Sequence, residues 1–304
     1  MSLREMREMQ RKKVVVLVHK DDAAFIYFQY LIKLLMKEWE RIGLTVEVVR
    51  GVDHFVPADV VIPHLDLTVI PNEYRVFLNQ YPVVINRDVV DISKSKISTN
   101  LIERDDAYAG PVIVKTDLNS GGLPEERLLS KMYVVRAISS KLSSKLASRL
   151  RTKGPASIAW GQIKYLQSSD YPVFPTLQDV PKDIFENKNL VVEKFLPEVE
   201  GGRYYVRYYH FLGDKDVHKV YRSKQKVVKG SDEVQLEEVP IPSELYAIRQ
   251  KLGMDYGKID YVLRDGKVVL LDVNRTPGLP PHEKGQLARS IARDLAEGIW
   301  SHLN

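Results

Sequence analysis

The sequence predicts an α/β protein whose N-terminal part holds a parallel sheet and whose later parts combine helices with antiparallel strands. Residues 14–18 form a continuous apolar run, V-V-V-L-V, which is typical of a strand buried on both faces. Strand and helix patterns then alternate up to about residue 86, and this alternation favours a parallel sheet. Near the C-terminus, residues 258–277 predict two strands joined at Asp265-Gly266, the strongest short signal for a hairpin.

The N-terminal elements follow from local signals. A helix is predicted over residues 23–42, because Asp21 or Asp22 can cap its start and Gly43 can end it. Further strands are predicted at residues 45–49, 59–63 and 83–86, with a short helix near 72–79. Parallel sheets bind ligands beyond the carboxyl ends of their strands. His19, His64 and Asp66 fall there, although each also fits a turn or a solvated side chain.

The middle of the chain has a different character. Lys115 closes the strand P-V-I-V-K, and a loop with Asn119, Ser120, Gly121 and Gly122 follows. Leucines at 142, 146 and 150 predict one stripe of a helix. Residues 127–169 contain nine Lys or Arg and no Asp or Glu. This basic stretch predicts a solvated helical face, with capture of an anionic substrate, an acidic partner or RNA as the alternative.

The remaining elements are mostly strands. A buried strand is predicted at residues 190–196 and is interrupted by Pro197. Residues 203–211 and 217–223 predict antiparallel neighbours around Gly213-Asp214. The C-terminal segment, residues 283–303, is amphipathic and predicts a helix.

Composition limits the functional classes. The chain has 304 residues, 44% of them hydrophobic and 28% charged, which is an ordinary soluble composition and allows two or three lobes. It has no run of 18 apolar residues, and its first 13 residues are highly charged, so we expect no membrane span, no secretory signal and a cytoplasmic location. The absence of cysteine excludes disulfides, thiolate zinc sites and a cysteine nucleophile. A net charge of +5 suits anionic ligands such as nucleotides. It is too small to imply nucleic acid by itself, so we expect nucleic acid to be an unlikely partner.

Three oxygen-bearing side chains mark the predicted hairpin. Asp260 lies on its first strand, and Asp272 and Asn274 lie on its second. Residues two apart on a strand share a face, so Asp272 and Asn274 project together and the hairpin brings Asp260 beside them. Oxygen ligands of this kind suit Mg²⁺ shared with the phosphates of a nucleotide. The alternative is a polar strand face that meets solvent.

Two further segments favour a nucleotide. Lys115 stands before Gly121-Gly122, and glycines let backbone N–H groups approach phosphate oxygens closely. The segment Glu193, Lys194, Phe195 and Leu196 precedes Pro197. It can present backbone groups to an adenine edge and an apolar side chain to the ring. Each segment alone also fits a simple turn or the end of a core strand.

Taken in this order, the motifs resemble the ATP-grasp superfamily, and most closely its D-alanine–D-alanine ligase and RimK-like carboxylate–amine ligases. The resemblance covers roughly residues 91–281. It implies two lobes that clasp ATP after an N-terminal parallel-sheet pre-ATP-grasp lobe. The implied domains are 1–95, 96–200 with a basic helical insertion at about 123–165, and a C-terminal metal- and substrate-binding lobe at 201–304.

The resemblance also assigns roles to residues. The segment S-K-I-S-T makes Lys96 the first nucleotide lysine, with Lys94 as its competitor. Further nucleotide contacts are implied for the phosphate lysine, the glycines of the closing loop, the adenine segment and a ribose acid. They are Lys115, Gly121, Gly122, Glu193, Lys194, Phe195, Leu196 and Glu200. Asp260, Asp272 and Asn274 are implied to hold two Mg²⁺, or Mn²⁺ in their place.

Lys258 stands where the family usually has arginine and is implied to face the transferred phosphoryl group and the substrate oxyanion. Arg207 is a second catalytic candidate, and it shares with Lys219 and Arg222 the assignment of further phosphate contacts. The chain departs from the family in the short interval between Lys96 and Lys115 and in the long one that holds the basic stretch. Lys258 in place of arginine loses bidentate geometry.

The implied activity is an ATP-dependent, ADP-forming carboxylate–amine ligase that works through an acyl phosphate and takes a small-molecule acid and amine. Two alternatives stay open: an ATP-grasp phosphotransferase, and a nucleotide-binding protein without turnover. The sequence leaves open a homodimer and the substrate pair. His19, His64, Asp66, His282 and the basic stretch are the candidate substrate contacts.

Overall fold

The structure, a computed structural model, describes residues 12–129, 158–228, 233–235, 240–279 and 285–303. The leucine stripe at 142–150, most of the basic stretch and His282 lie outside these residues. Twelve strands are described. They are β1 (Lys13–Val18), β2 (Thr45–Arg50), β3 (Val60–His64), β4 (Val112–Thr116), β5 (Val173–Phe174), β6 (Leu190–Lys194), β7 (Glu198–Glu200), β8 (Arg203–Leu212), β9 (Lys215–Ser223), β10 (Glu233–Gln235), β11 (Tyr256–Arg264) and β12 (Lys267–Asn274).

The α-helices among the described residues are mostly short. They are α1 (Ala24–Tyr27), α2 (Leu31–Arg41), α3 (Asn72–Leu78), α4 (Lys94–Ile97), α5 (Leu123–Leu129), α6 (Lys182–Glu186), α7 (Ser243–Leu252) and α8 (Gln286–Ala296). The longest of them have 11 residues. No helix in the described ranges combines the length and the apolar character needed to cross a bilayer.

The N-terminal sheet is parallel, with strand order β2-β1-β3, so the predicted parallel sheet is confirmed. Alternate residues of β1 enter different cores: Val14 and Val16 pack with α2 and α8, whereas Val15 and Leu17 pack with α3. Burial on both faces therefore explains the continuous apolar run. The fourth strand predicted at 83–86 is reduced to a single bridge between Val61 and Val84.

The helix predicted over residues 23–42 is broken between α1 and α2. The cause is a pairing with the distant segment 277–279. Leu31 donates its backbone N–H to the Pro277 carbonyl at 2.9 Å, and Leu279 donates to the Gln29 carbonyl at 2.8 Å. These long-range hydrogen bonds replace helical ones at residues 29–31. They also join the N-terminal lobe to the segment that follows β12.

Two antiparallel sheets follow. The smaller one has the order β5-β4-β6, and the larger one has the order β10-β9-β8-β11-β12, with β7 also paired to β8. The small sheet has its own core around Trp160 and Phe174. The C-terminal segment forms α8 and then a 3₁₀ helix, Glu297–His302, rather than one continuous helix. Trp39 of α2 donates to the Ala296 carbonyl at 2.9 Å, so α8 packs on the N-terminal lobe.

Candidate active site

The β11–β12 hairpin brings the predicted metal residues together. Asp265 and Gly266 both have positive φ, 51° and 75°, as a tight hairpin turn with the strong twist of a strand pair requires. Asp260 lies opposite Asp272, and Lys258 lies opposite Asn274. Directly opposed residues in an antiparallel pair project from the same face. Four candidate side chains therefore share one face of the large sheet.

A β-bulge lies beside these residues. The register shifts after Asp260, so that Tyr261 faces Leu270 and Leu271 is the extra residue. A bulge frees backbone groups from the ladder and redirects the strand. The Leu271 carbonyl accepts a hydrogen bond from Lys115 Nζ at 3.4 Å. The bulge thus connects the hairpin to the small sheet.

Asp260 is a half-buried carboxylate with a cation close to it. Lys258 Nζ donates to Asp260 Oδ2 at 3.0 Å and lies 2.9 Å from Oδ1, where it does not reach hydrogen-bonding geometry. Burial raises the pKa of Asp260 to about 6; Lys258 opposes this shift and Asp272 adds to it. Burial is the main cause of this pKa shift, and the charge of Asp272 adds to it, so a cation next to the two carboxylates would stabilise their ionised forms.

Asp272 faces a lysine from a different part of the chain. Lys94 Nζ lies 3.6 Å from Asp272 Oδ1 and donates to the Leu118 carbonyl at 3.0 Å. The Lys94 side chain is 3% exposed. Burial alone would lower the pKa of Lys94, but the negative charges of Asp272, Tyr171 and Glu193 raise it above its usual value. Lys94 is therefore a buried ammonium beside the predicted metal residues.

The donor set fits a divalent cation that is shared with a ligand. Asp260 Oδ1 and Asp272 Oδ1 are both buried and accept no hydrogen bond from the described residues. Asn274 Oδ1 accepts from the Thr276 N–H at 2.8 Å and is thereby oriented. The described residues contain no group of three or more His, Cys, Asp or Glu able to hold a metal. Mg²⁺ needs only one or two carboxylates when phosphates and water supply its other ligands.

Lys115 and Glu193, two predicted nucleotide contacts, meet on the small sheet. Lys115 Nζ donates to Glu193 Oε2 at 2.6 Å, and both side chains are buried. Glu193 Oε1 is buried without a hydrogen-bond partner in the part of the chain that the structure describes. Because the Lys115 ammonium also reaches Leu271, the phosphate lysine and the metal hairpin are neighbours.

The predicted glycine loop is a 3₁₀ turn, Asn119–Gly122. Gly121 and Gly122 have positive φ of 71° and 77°. A Cβ at Gly121 would lie 2.7 Å from the Leu166 carbonyl oxygen, and a Cβ at Gly122 would lie 2.5 Å from the Tyr165 ring. Both glycines are therefore required by their backbone conformation and by close packing.

The predicted adenine segment continues directly from β6. Lys194 donates its backbone N–H to the Asn100 carbonyl at 2.9 Å, and Phe195 donates to the Pro111 carbonyl at 2.8 Å. These two backbone donors are engaged within the protein. Leu196 is half-buried, and Glu200 is exposed at the end of β7.

The two faces of the large sheet separate the candidate cations. Asp260 lies opposite Tyr208, and Tyr208 lies opposite Lys219, so Lys219 shares the face of the metal residues. Lys258 Nζ lies 4.0 Å from the Tyr208 ring centroid, as this arrangement requires. Once the registers of β8 with β9 and β11 are known, strand alternation is enough to assign Lys219 to the face of Asp260.

Arg207 lies on the opposite face, because it is paired with Tyr261 rather than with Asp260. Its guanidinium forms a bidentate ion pair with Glu198, with contacts of 2.9 and 2.6 Å. Arg222 is paired with Tyr205 and shares the face of Arg207. The structure therefore does not bring Arg207 to Asp260, contrary to its assignment as a catalytic candidate.

Lys96 is also outside the cluster. It is exposed on α4, whereas Lys94 on the same short helix is buried. Asp91 accepts from the Ser93 N–H at 2.8 Å, and this contact fixes the start of the helix so that Lys94 points inward. Of the two lysines in the competing assignment, the structure brings Lys94 to the carboxylates.

The N-terminal lobe supplies a polar wall next to β12. Asp66 accepts from Tyr30 Oη at 2.8 Å, from Arg127 Nη2 at 2.9 Å and from Thr276 Oγ1 at 2.9 Å. Asp22 lies in the same small pocket as Asp66, and its buried Oδ2 has no hydrogen-bond partner there. Burial and the charge of Asp66 raise the pKa of Asp22.

The two candidate histidines differ in surroundings. His19 lines that pocket. His64 is fully buried between the rings of Phe25 and Tyr30, and neither of its ring nitrogens has a partner among the described residues. The geometry keeps His19 and Asp66 as candidate substrate contacts and gives His64 a packing position.

The overall architecture is similar to that of known structures. A RimK domain ATP-grasp protein from Sphaerobacter thermophilus DSM 20745 has a TM-score of 0.50 and 10% sequence identity, over 95% of this chain and 99% of that one. D-alanine–D-alanine ligase from Bacillus anthracis has a TM-score of 0.48 and 12% identity, over 96% and 97%. VanG D-Ala:D-Ser ligase from Enterococcus faecalis has a TM-score of 0.47 and 12% identity, over 96% and 99%.

No protein-family model and no curated protein sequence matches the chain. The full-length structural likeness, the two antiparallel sheets joined through Lys115 and the hairpin, and the preceding parallel sheet together define the architecture. The chain has an ATP-grasp fold with an N-terminal parallel-sheet lobe.

Proposed function

We propose that the protein is an ATP-dependent carboxylate–amine ligase that forms ADP and works through an acyl phosphate. One observation carries the proposal: two buried carboxylate oxygens without hydrogen-bond partners, on Asp260 and Asp272, lie side by side between the ammonium groups of Lys94 and Lys258. A buried carboxylate oxygen that accepts no hydrogen bond is unfavourable, so these two oxygens favour a bound cation, and the two flanking ammonium groups favour a polyanion. The ATP-grasp fold supports ATP as that polyanion.

The proposed nucleotide site lies between the small sheet and the hairpin. Lys115 and Lys94 supply point charges for the phosphates, and the glycine turn supplies backbone amides. Lys219 adds a cation on the same face of the large sheet. The segment 193–196 takes the adenine, and Glu200 takes the ribose. Since Lys115 is paired with Glu193, binding must exchange this ion pair for contacts with the nucleotide.

Asp260, Asp272 and Asn274 would hold Mg²⁺, or Mn²⁺, next to the phosphates. When bound, a divalent cation would supply charge neutralisation for phosphoryl transfer. Thr276 keeps the Asn274 oxygen oriented through its N–H.

The reaction proceeds in two steps. A substrate carboxylate oxygen attacks the γ-phosphorus, and the bond to the β–γ bridging oxygen breaks to release ADP. The amine nitrogen then attacks the acyl carbon, loses a proton, and inorganic phosphate leaves with the C–O electron pair. Lys258, held over Tyr208, faces the oxyanion that forms in the second step and stabilises its charge.

The acid and amine would enter beside the polar wall of the N-terminal lobe. Asp66 is linked to Thr276, two residues after Asn274, by a hydrogen bond of 2.9 Å. This contact supports a substrate position between the pocket of His19, Asp22 and Asp66 and the γ-phosphate. We also propose the domain limits 1–95, 96–200 and 201–304. The separate cores around Tyr74 and Trp160 support the division between the first two domains, whereas α8 of the third packs in one core with the N-terminal lobe.

The test is ADP release by the purified protein with MgATP and pools of acids and amines. A ligase releases ADP only when acid and amine are both present, and hydroxylamine in place of the amine yields a hydroxamate from the acyl phosphate. ADP and a stable phosphorylated product without any amine would instead select a phosphotransferase. No nucleotide turnover with any pool, despite tight MgATP binding, would leave a binding protein.

The matched variants are Asp272→Asn and Asp260→Asn against Asp265→Asn. The last residue is on the exposed turn of the same hairpin, and asparagine tolerates its left-handed backbone. The first two are expected to lose about 100-fold or more in turnover, because metal catalysis contributes several kcal/mol. Asp265→Asn should retain wild-type turnover. Equal turnover in all three would refute the metal assignment.

A further inference from the structure

Arg275 follows the predicted metal ligand Asn274 and is completely buried. Its Nη1 donates to the carbonyls of Val89 at 2.9 Å and Val90 at 3.4 Å. Its Nη2 donates to the carbonyls of Leu67 and, at 3.1 Å, of Thr68. Among the described residues, this guanidinium thus donates to backbone oxygens of the N-terminal lobe rather than to carboxylates.

A buried guanidinium whose hydrogen bonds go to carbonyls joins the two lobes at a high desolvation cost. Arginine keeps its charge in proteins, so its burial carries a desolvation cost. Apolar side chains of similar size would join lobes as well without the desolvation cost. Unlike apolar packing, the planar guanidinium fixes the two backbone segments 67–68 and 89–90 in a defined orientation, because its N–H groups are directional.

One of those segments also holds the glycine turn. Thr68 Oγ1 accepts from the Asn119 N–H at 2.8 Å, and the Thr68 N–H donates to Glu125 Oε1 at 2.6 Å. Asn119 begins the 3₁₀ turn, and Glu125 lies on the α5 helix that follows it. A continuous set of contacts therefore runs from Asn274 through Arg275 and Thr68 to the turn.

The two ends of this set lie on the two sides of the proposed phosphate site. The hairpin end carries the proposed metal residues, and the turn end carries Gly121 and Gly122, which the proposed function assigns to the phosphates. We propose that Arg275 is a positioning residue that sets the separation between the metal-binding hairpin and the glycine turn. The inference rests on the proposed function and extends it to a residue that touches neither nucleotide nor metal.

The proposal predicts a specific defect. If the separation between the hairpin and the glycine turn changes, the cation and the turn can no longer bind the same phosphates. Mg²⁺ should then increase the nucleotide affinity less. A merely structural role would reduce the folded fraction and leave the affinity ratio of the folded molecules unchanged. The decisive quantity is the ratio of the ADP dissociation constant in EDTA to that in Mg²⁺, measured by calorimetry on the full chain.

The variants are Arg275→Lys, Thr68→Val and the double substitution. Thr68→Val removes the acceptor for Asn119 and keeps the backbone that Arg275 binds, while Thr68→Ser keeps the acceptor and serves as the conservative rescue. Arg249→Lys is the matched control, because Arg249 also binds backbone carbonyls, of Gly213 and Met254, but from α7.

We expect the ratio of the ADP dissociation constants in EDTA and in Mg²⁺ to fall about tenfold in Arg275→Lys and in Thr68→Val. The double substitution should lower this ratio no further than the more severe single substitution does, since both interrupt one set of contacts. Thr68→Ser and Arg249→Lys should keep the wild-type ratio. If Arg275→Lys does not fold, Thr68→Val against Thr68→Ser decides the matter.

A wild-type ratio in Thr68→Val, or defects that add in the double substitution, would overturn the role of Arg275 and leave the proposed function standing. Wild-type protein whose ADP affinity does not respond to Mg²⁺ would overturn both. The two failures are therefore distinguished by the wild-type measurement alone.

Discussion

Lys94 of α4 and Asp272 of β12 approach within 3.6 Å, although they are far apart in the chain and belong to different structural units. Lys94 is shielded from solvent and Asp272 is half-buried. The ammonium also donates to the Leu118 carbonyl beside the glycine turn. The contact joins a cation of α4, at the end of the N-terminal lobe, to a carboxylate of the hairpin. Under the proposed function, Lys94 rather than Lys96 is therefore the expected phosphate contact.

Lys94→Met is therefore expected to weaken MgADP binding by about tenfold or more, because a hydrogen bond to a charged group contributes roughly 1.5–3 kcal/mol. Lys96→Met, at an exposed position on the same helix, is the matched control and should change affinity less than about twofold. Calorimetric titration of both variants measures the difference. Greater sensitivity at Lys96 would reverse the assignment.

A second pair separates the two faces of the large sheet. Lys219→Met is expected to weaken MgADP binding by about tenfold, since Lys219 shares the face of Asp260. Arg207→Met should leave the MgADP affinity unchanged. It should lower the free energy of unfolding by about 3 kcal/mol, because Glu198 loses its bidentate partner. Urea denaturation and nucleotide titration are run on each variant. Loss of nucleotide affinity in Arg207→Met would contradict the face assignment.

Local signals are sufficient to predict the hairpin. Asp265-Gly266 specifies the turn, and residues two apart on β12 share a face, so Asp272 and Asn274 are brought together as expected. The apolar run at Val14–Val18 is likewise a local signal for a parallel strand that is covered on both faces, and all five residues are buried. These features need no information about distant partners.

Other features depend on distant contacts and could not be predicted in this way. The helix breaks at residues 29–31 because they pair with 277–279. The face of Arg207 depends on the register of β8 against β11. Arg275 donates to the carbonyls of Val89 and Leu67, which are 186 and 208 residues away in sequence, and no local sequence pattern predicts these contacts.

The glycine turn gives a third prediction. Gly121→Ala is expected to cost about 2–4 kcal/mol of folding stability, because the left-handed backbone and the contact with the Leu166 carbonyl both penalise a Cβ. Gly202→Ala is the matched control: it has a similar φ of +74° with no atom within 4 Å of the new Cβ, so only the backbone cost of about 1–2 kcal/mol remains. Chemical denaturation compares the two. Equal losses would show that packing against residue 166 does not constrain the turn.

The fourth prediction concerns acid stability. Burial, with a smaller contribution from Lys33, lowers the pKa of His64 from 6.5 to about 3. As the pH falls below 6.5, the unfolded chain takes up a proton at this histidine while the folded protein does not. His64 therefore lowers the free energy of unfolding by about 1.4 kcal/mol for each pH unit down to about 3, and this loss is absent above pH 6.5.

His64→Leu removes this contribution. Neither ring nitrogen of His64 has a hydrogen-bond partner among the described residues, and its neighbours Phe25 and Tyr30 are aromatic, so leucine should be accommodated at neutral pH. The variant is expected to lose less stability than the wild type between pH 6 and pH 4, measured by urea denaturation at each pH. His54→Leu, at an exposed position, is the matched control. Parallel stability curves for His64→Leu and the wild type over that interval would mean that the imidazole is protonated inside the fold, and the packing described for it would then be wrong.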